Sequence, residues 1–175
     1  SIMMFQSMML IGTDMASDIT REKFGLVTKF RTLPGSVGTY EIFGEDHPVA
    51  EFQEIIVASN SLPFDDYVDC RVFDLIVEAF YNNAKFEEAF SVVRTLGASP
   101  FNCLLYIKEH PDLYSPRIQK VFDSFVAGTV DLFDDLEQAK SRVLGPEAIE
   151  KYLDGELGTN ELLLHAGMLF EEFED

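Results

Sequence analysis

Two cysteines, three histidines and a large surplus of carboxylates are the residues of this chain with chemistry to offer. Cys70 and Cys103 stand 33 positions apart, with no CxxC, CxxxC or Cys/His pairing. Structural zinc and iron–sulfur sites need three or four ligands, usually at close spacing, so cysteine alone supplies neither. Both lie in helix-like apolar surroundings and are expected to be buried, inert thiols. His47 and His110 each precede a proline, and His165 lies between Leu162 and Leu169 on a helical pattern. Structural or solvent roles are expected for all three. Asp131, Asp134 and Asp135 share one face of an expected helix. They could hold a divalent ion weakly, but the Glu-x-x-His pairs of a di-metal bundle are absent, so a solvated acidic face is expected. Gly35-Ser36-Val37-Gly38 lacks the lysine and following helix of a phosphate loop and reads as a turn. No GxSxG elbow or Cys/His signature appears. No catalytic residue and no metal ligand is therefore nominated.

Charge narrows the partners. The 175 residues carry 31 Asp+Glu against 13 Lys+Arg, a formal net charge of -18. Phosphate backbones need clustered Lys and Arg, so nucleic acid is excluded as an expected partner, and anionic membrane surfaces are disfavoured for the same reason. No stretch of about 20 apolar residues would span a bilayer and no signal-peptide pattern opens the chain, so a cytoplasmic setting is expected. Residues 1–60 hold eight acids and four bases, while residues 61–175 hold 23 and nine, so the imbalance falls on the second part. A solvated helix surface is the expected reason; an acidic docking surface for a basic partner is the sharper one.

These residues must be carried by elements. The apolar run Ile2 to Ile11, stopped by Gly12-Thr13-Asp14, predicts a buried strand. Ser17 and Gly25 bracket a short helix as N-cap and terminal glycine. Residues 27–33, 38–43 and 52–57 read as three strands of an antiparallel meander, broken at Pro34-Gly35 and at Gly44 to Pro48. After Asn60 the period becomes helical. Helices are predicted from Phe64 to Asn82-Asn83, over 86–96, near 100–109, over 116–142, from Pro146 to Leu153, and from Glu161 on, with Leu162, Leu163, Ala166, Leu169, Phe170 and Phe173 as the last apolar stripe. Ser99-Pro100 and Ser115-Pro116 repeat one start signal, a hydroxyl cap followed by proline at the first helical position. The expected class is α+β, mostly α: a small antiparallel β part near residues 27–57 followed by five to six helices. The expected division is a strand/helix/β piece over 1–60 and an acidic helical domain over 61–175.

One stretch is more specific. Met8-Met9-Leu10-Ile11-Gly12-Thr13-Asp14-Met15-Ala16, leading into Arg21-Glu22-Lys23-Phe24-Gly25-Leu26-Val27-Thr28-Lys29-Phe30-Arg31, resembles the region after the core barrel strands of radical S-adenosylmethionine proteins. The likeness is to the class with an N-terminal cobalamin-binding domain. Glu54-Ile55-Ile56-Val57-Ala58-Ser59-Asn60-Ser61-Leu62, with Asp65-Asp66-Tyr67 and Cys70-Arg71, is similar to a second motif of that class. The resemblance spans about residues 5–82.

It implies the C-terminal accessory or capping region of such an enzyme, not catalytic on its own. The parent would carry a [4Fe–4S] cluster, S-adenosylmethionine and, in this class, cobalamin, for chemistry such as methyl transfer. The cluster motif CxxxCxxC has no counterpart here, so those cofactors are expected outside this chain, and the expected partner is the barrel of the parent polypeptide. The apolar start and the helical pattern still running at Asp175 are expected to continue into a longer chain; a cut N-terminal strand would be prone to self-association. Gly12, Thr13 and Asp14 would lie at the carboxyl end of a barrel strand, where barrel enzymes place ligand loops, and are the candidate cofactor-binding residues. The competing expectation is a free-standing acidic α-helical protein-interaction module.

Overall fold

The structure, a computed structural model, describes residues 1–174; the side chains of residues 173 and 174 lie outside the description. In chain order the elements are α1 (Asp18–Phe24), β1 (Val27–Thr32), β2 (Gly38–Ile42), β3 (Glu45–Val49), β4 (Phe52–Ala58) and α2 (Phe64–Ile76). A π-helical turn (Val77–Asn82) follows, then α3 (Glu87–Thr95), α4 (Pro100–Glu109), α5 (Pro116–Val130), α6 (Leu136–Val143), α7 (Pro146–Leu153) and α8 (Glu161–Glu174). The class is α+β, mostly α.

The chain divides into two compact units. One comprises residues 6–67 and 131–160; the other comprises residues 1–5, 68–130 and 161 onward. The sequence boundary at residue 60 thus differs from the compact units, because residues 131–160 gather with the β part.

In the first unit, β1 and β4 pair antiparallel, with Thr28 opposite Ile56 and Arg31 opposite Gln53. Ile55 and Val57 of β4 are buried while their neighbours are half-buried, the two-residue alternation of a one-sided sheet. The free side of β1 is closed by one residue: Phe30 and Phe133 exchange both backbone hydrogen bonds, at 2.8 and 2.9 Å. Phe133 heads a small core with Ala139 and Val143, against which Phe30, Val37, Ala50, Phe52 and Tyr152 pack. The β2–β3 hairpin forms a separate two-stranded sheet between β1 and β4.

Three expectations are corrected. The N-terminal apolar run is not a buried strand. Only residues 7–9 pair, by a single bridge of Met8 to Ile55 on the other side of β4, and Met3, Phe5, Leu10 and Ile11 are exposed. Gly12, at φ +84, turns the chain away before the pairing can lengthen. Residues 45–48 are not a break but belong to β3; an exposed two-stranded hairpin has room for Pro48, whose missing N–H faces no ladder partner. The helix expected over 116–142 is two helices, making seven α-helices after residue 60 among the described residues. Asp135 caps α6 by accepting from the Gln138 N–H at 2.8 Å, and Phe133 leaves helical geometry to join β1.

In the second unit the core is helical. Leu75, Ile76, Phe125 and Leu169 are fully buried, and α8 packs along α5 and against the π turn. Ser115 caps α5 through the Ile118 N–H at 3.2 Å, whereas Ser99 makes no such bond and α4 starts on proline alone. At the end of the π turn, Asn82 Nδ2 donates to the Ile2 carbonyl and its Oδ1 accepts from the Ile2 N–H, both at 2.7 Å. Both backbone polar groups of Ile2 are thereby held by one side chain. Of the predicted α8 stripe, Phe173 lies outside the described side chains.

Candidate functional site

Of the candidate residues Gly12, Thr13 and Asp14, one reaches a groove. Gly12-Thr13-Asp14 leads into a 3-10 turn (Asp14–Ala16), and the Thr13 hydroxyl donates to the Leu10 carbonyl at 2.7 Å, closing the turn. Thr13 is therefore committed to backbone structure. Asp14 instead lines an open groove of about 380 Å³ in the β-containing unit. Its floor is apolar (Met15, Phe24, Leu26, Ile56); its polar rim is Asp14, Thr20, Ser59, Asn60 and Ser61. Gly12 and Thr13 do not line it.

Local chemistry builds this groove at both ends of α1. Ser17 opens the helix by accepting from the Thr20 N–H at 3.3 Å, and Gly25 ends it in the left-handed conformation at φ +56. A Cβ on Gly25 would lie 2.1 Å from Asn60 Oδ1, so only glycine allows the approach. Asn60 uses it: its backbone N–H donates to the Phe24 carbonyl at 2.9 Å, and Nδ2 to the Lys23 carbonyl at 3.4 Å. The turn after β4 thus satisfies the exposed carbonyls of α1. A second tie lies alongside, where Arg21 of α1 forks onto Glu54 of β4 and the Thr28 hydroxyl joins the same carboxylate at 2.6 Å. The guanidinium bond is the main reason the Glu54 carboxyl is held below the usual carboxylate range, with Thr28 adding to it against the cost of burial.

This arrangement can bind but offers no nucleophile–base pair. The rim has hydroxyls, one carboxamide and one carboxylate, and the histidines lie elsewhere. His47 is exposed on β3; His110 ends α4, where its Nδ1 donates to the Tyr106 carbonyl at 2.9 Å. His165 is 5% exposed, donates from Nδ1 to the Glu161 carbonyl at 2.7 Å, and packs edge-on against Phe125. Asp131, Asp134 and Asp135 have separate uses: Asp131 pairs with Arg142 at 2.9 Å, Asp134 with Lys29, and Asp135 caps α6. Among the described residues no group of three His, Cys, Asp or Glu side chains could hold a metal ion. The expectation of two buried thiols is corrected for Cys70, which is exposed because α2 turns its neighbours Tyr67, Arg71 and Asp74 inward; Cys103 is half-buried.

No protein-family model matches this chain, and no curated protein matches it. No helix among the described residues is long and apolar enough to cross a membrane.

Thr20, Ser59, Asn60 and Ser61 were not nominated from sequence. Asn60 carried a usable signal, since a glycine-terminated helix followed by a strand calls for a partner to its last carbonyls. Nothing local says that the partner lies 35 residues on.

Proposed function

We propose that this chain is the C-terminal accessory region of a cytoplasmic radical S-adenosylmethionine enzyme of the cobalamin-binding-domain class. It docks on the catalytic barrel and shapes access to it. The observation that carries this reading is an exposed apolar stretch beside the groove. Met8, Leu10, Ile11, Met15, Ile19 and Phe24 are all exposed within one compact unit, with Ile11 at 100% and Ile19 at 80%. Scattered exposed apolar residues are ordinary, but six within 17 positions describe a surface suited to being covered. The motif residues named above supply the identity of the covering body, and Asp14 sits where that stretch meets the groove.

The chain's own donors do not fit a [4Fe–4S] cluster. Two cysteines 33 positions apart cannot supply three thiolates, so radical chemistry such as methyl transfer lies with the barrel. The role left to this region is binding and orientation, with Asp14 and the hydroxyl rim reaching a polar part of the substrate or of the barrel.

The test is direct. The reading frame upstream of Ser1 should encode CxxxCxxC, and the two pieces expressed separately should form a complex that Ile11→Asp and Ile19→Asp weaken. A frame without the motif overturns the proposal.

A further inference from the structure

The β2–β3 hairpin carries a feature its own fold does not use. Its loop is the two residues Phe43 and Gly44, both at positive φ, +54 and +83. That is the mirror-type turn whose twist suits a hairpin, and its first position favours Asn, Asp or Gly. A bulky phenylalanine is strained there, and Phe43 is 104% exposed, so no packing offsets the strain. Tyr40 and Ile42, two positions apart and hence on one face, are also exposed, at 64% and 48%. On the other face Glu41 stands directly opposite Asp46, a like-charge pair that weakens the hairpin. Glu45, opposite Ile42, adds a third acid beside the tip.

The base, in contrast, is fixed. Val37 and Ala50 pack on the Phe133 core, the Leu33 N–H donates to the Glu51 carbonyl at 2.9 Å, and the Gly35 N–H to the Gly158 carbonyl at 3.1 Å. A held base with an aromatic tip spends its irregularities where they serve only an outside contact.

We propose that this hairpin is a docking finger: Phe43 enters an apolar slot on a separate partner protein, and Lys or Arg on the rim of that slot meet Glu41, Glu45 and Asp46. Charge complementarity selects the partner's rim, and a buried aromatic anchor is the usual centre of such contacts. The hairpin leaves β1 after Thr32 and rejoins at Phe52, whereas α1 and the groove lie at the opposite end of the β1–β4 ladder, beside Val27 and Asn60. The finger is thus distinct from the surface assigned to the barrel, and loss of the barrel reading would leave it standing.

The test places the photoreactive analogue p-benzoylphenylalanine at position 43 of the full-length protein in its own cells, with position 96, just after α3, as an exposed control. The expected result is a crosslink to one protein at position 43 only. That protein, purified, binds the wild type with a Kd that rises at least about tenfold for Phe43→Ala. Glu41→Gln with Asp46→Asn should raise it several-fold and flatten its salt dependence. Phe43→Asn should lose binding and yet raise Tm by about 2–4 °C, because the strain is relieved. An adduct with a second copy of this chain, with lipid or with nothing overturns the proposal. So does a partner that binds Phe43→Ala equally well, or a fall in Tm for Phe43→Asn.

Discussion

Glu54 on β4 accepts both guanidinium nitrogens of Arg21 on α1, at 2.6 and 2.9 Å, and this fork latches the helix to the sheet. The two side chains are 29% and 20% exposed, shielded enough for the pair to count. Glu54→Ala should cost about 1–2 kcal/mol in urea unfolding. Because the folded carboxyl is held below its usual range, its contribution is complete above the unfolded pKa of about 4.3 and disappears as pH falls through the folded value. Glu54→Gln should therefore flatten the acid limb of the stability curve; an unchanged limb would show that the latch contributes nothing.

Asp74 behaves oppositely. Burial pushes its carboxyl above the usual Asp range, with Arg71 at 2.5 Å opposing and Glu78 reinforcing that rise. A raised folded value means this group's contribution is full below the unfolded pKa of about 3.9 and lost as pH rises through the folded one. Arg71 is itself 9% exposed, lies over the Phe125 ring, and has no hydrogen-bond partner at Nε. Asp74→Ala should thus cost about 3 kcal/mol by stranding the guanidinium. The double variant Arg71→Met, Asp74→Leu should recover most of that loss. A double variant as unstable as the sum of its parts would show that the pair is not one unit.

Gly25→Ala attacks the groove from its far end. The new methyl must displace Asn60 while the backbone stays left-handed, a combined cost of about 2 kcal/mol or more. Amide exchange across Asp18–Phe24 should quicken first, since these residues lose the partner of their last carbonyls. Gly12→Ala meets open space and carries only the conformational cost, about 1 kcal/mol. Equal losses for the two would remove Asn60 from the explanation.

Phe133→Ala tests the closure of the sheet. Phe133 is 8% exposed, and its truncation should cost about 3 kcal/mol. Thermal unfolding should show the loss, and near-ultraviolet circular dichroism should report loosening around Tyr152, which packs on the same core.

Helix ends were readable because they are local. Ser17 with Gly25, Pro100, Pro116 and Pro146 each act within one turn, and each marks an observed helix boundary. What depended on distant partners was not readable. Asp131 to Asp135 kept helical spacing, and only the pairing of Phe133 with Phe30, 103 positions away, turns that stretch into a strand-like bridge. The start of the chain had the composition of a buried strand, yet β4 offers it an edge for three residues, and of the run from Ile2 to Ile11 only Met9 is buried. The groove divides the same way: Asp14 followed from a turn signal, while Thr20, Ser59, Asn60 and Ser61 reach it through the fold.

The order in which the chain visits its two compact units has a kinetic consequence. It passes between them after residues 5, 67, 130 and 160, so the helices of 68–130 form an excursion that must end before Phe133 can meet Phe30. Closing that length as flexible coil would cost about 4 kcal/mol of chain entropy. The proline starts of α4 and α5 act within one turn, so helix formation in this stretch can begin early, while its packing is completed only when α8 meets α5 and the π turn. Refolding should then run in two phases, helix formation in the excursion first and the Phe30–Phe133 seam last, with Phe133→Ala slowing the second phase alone.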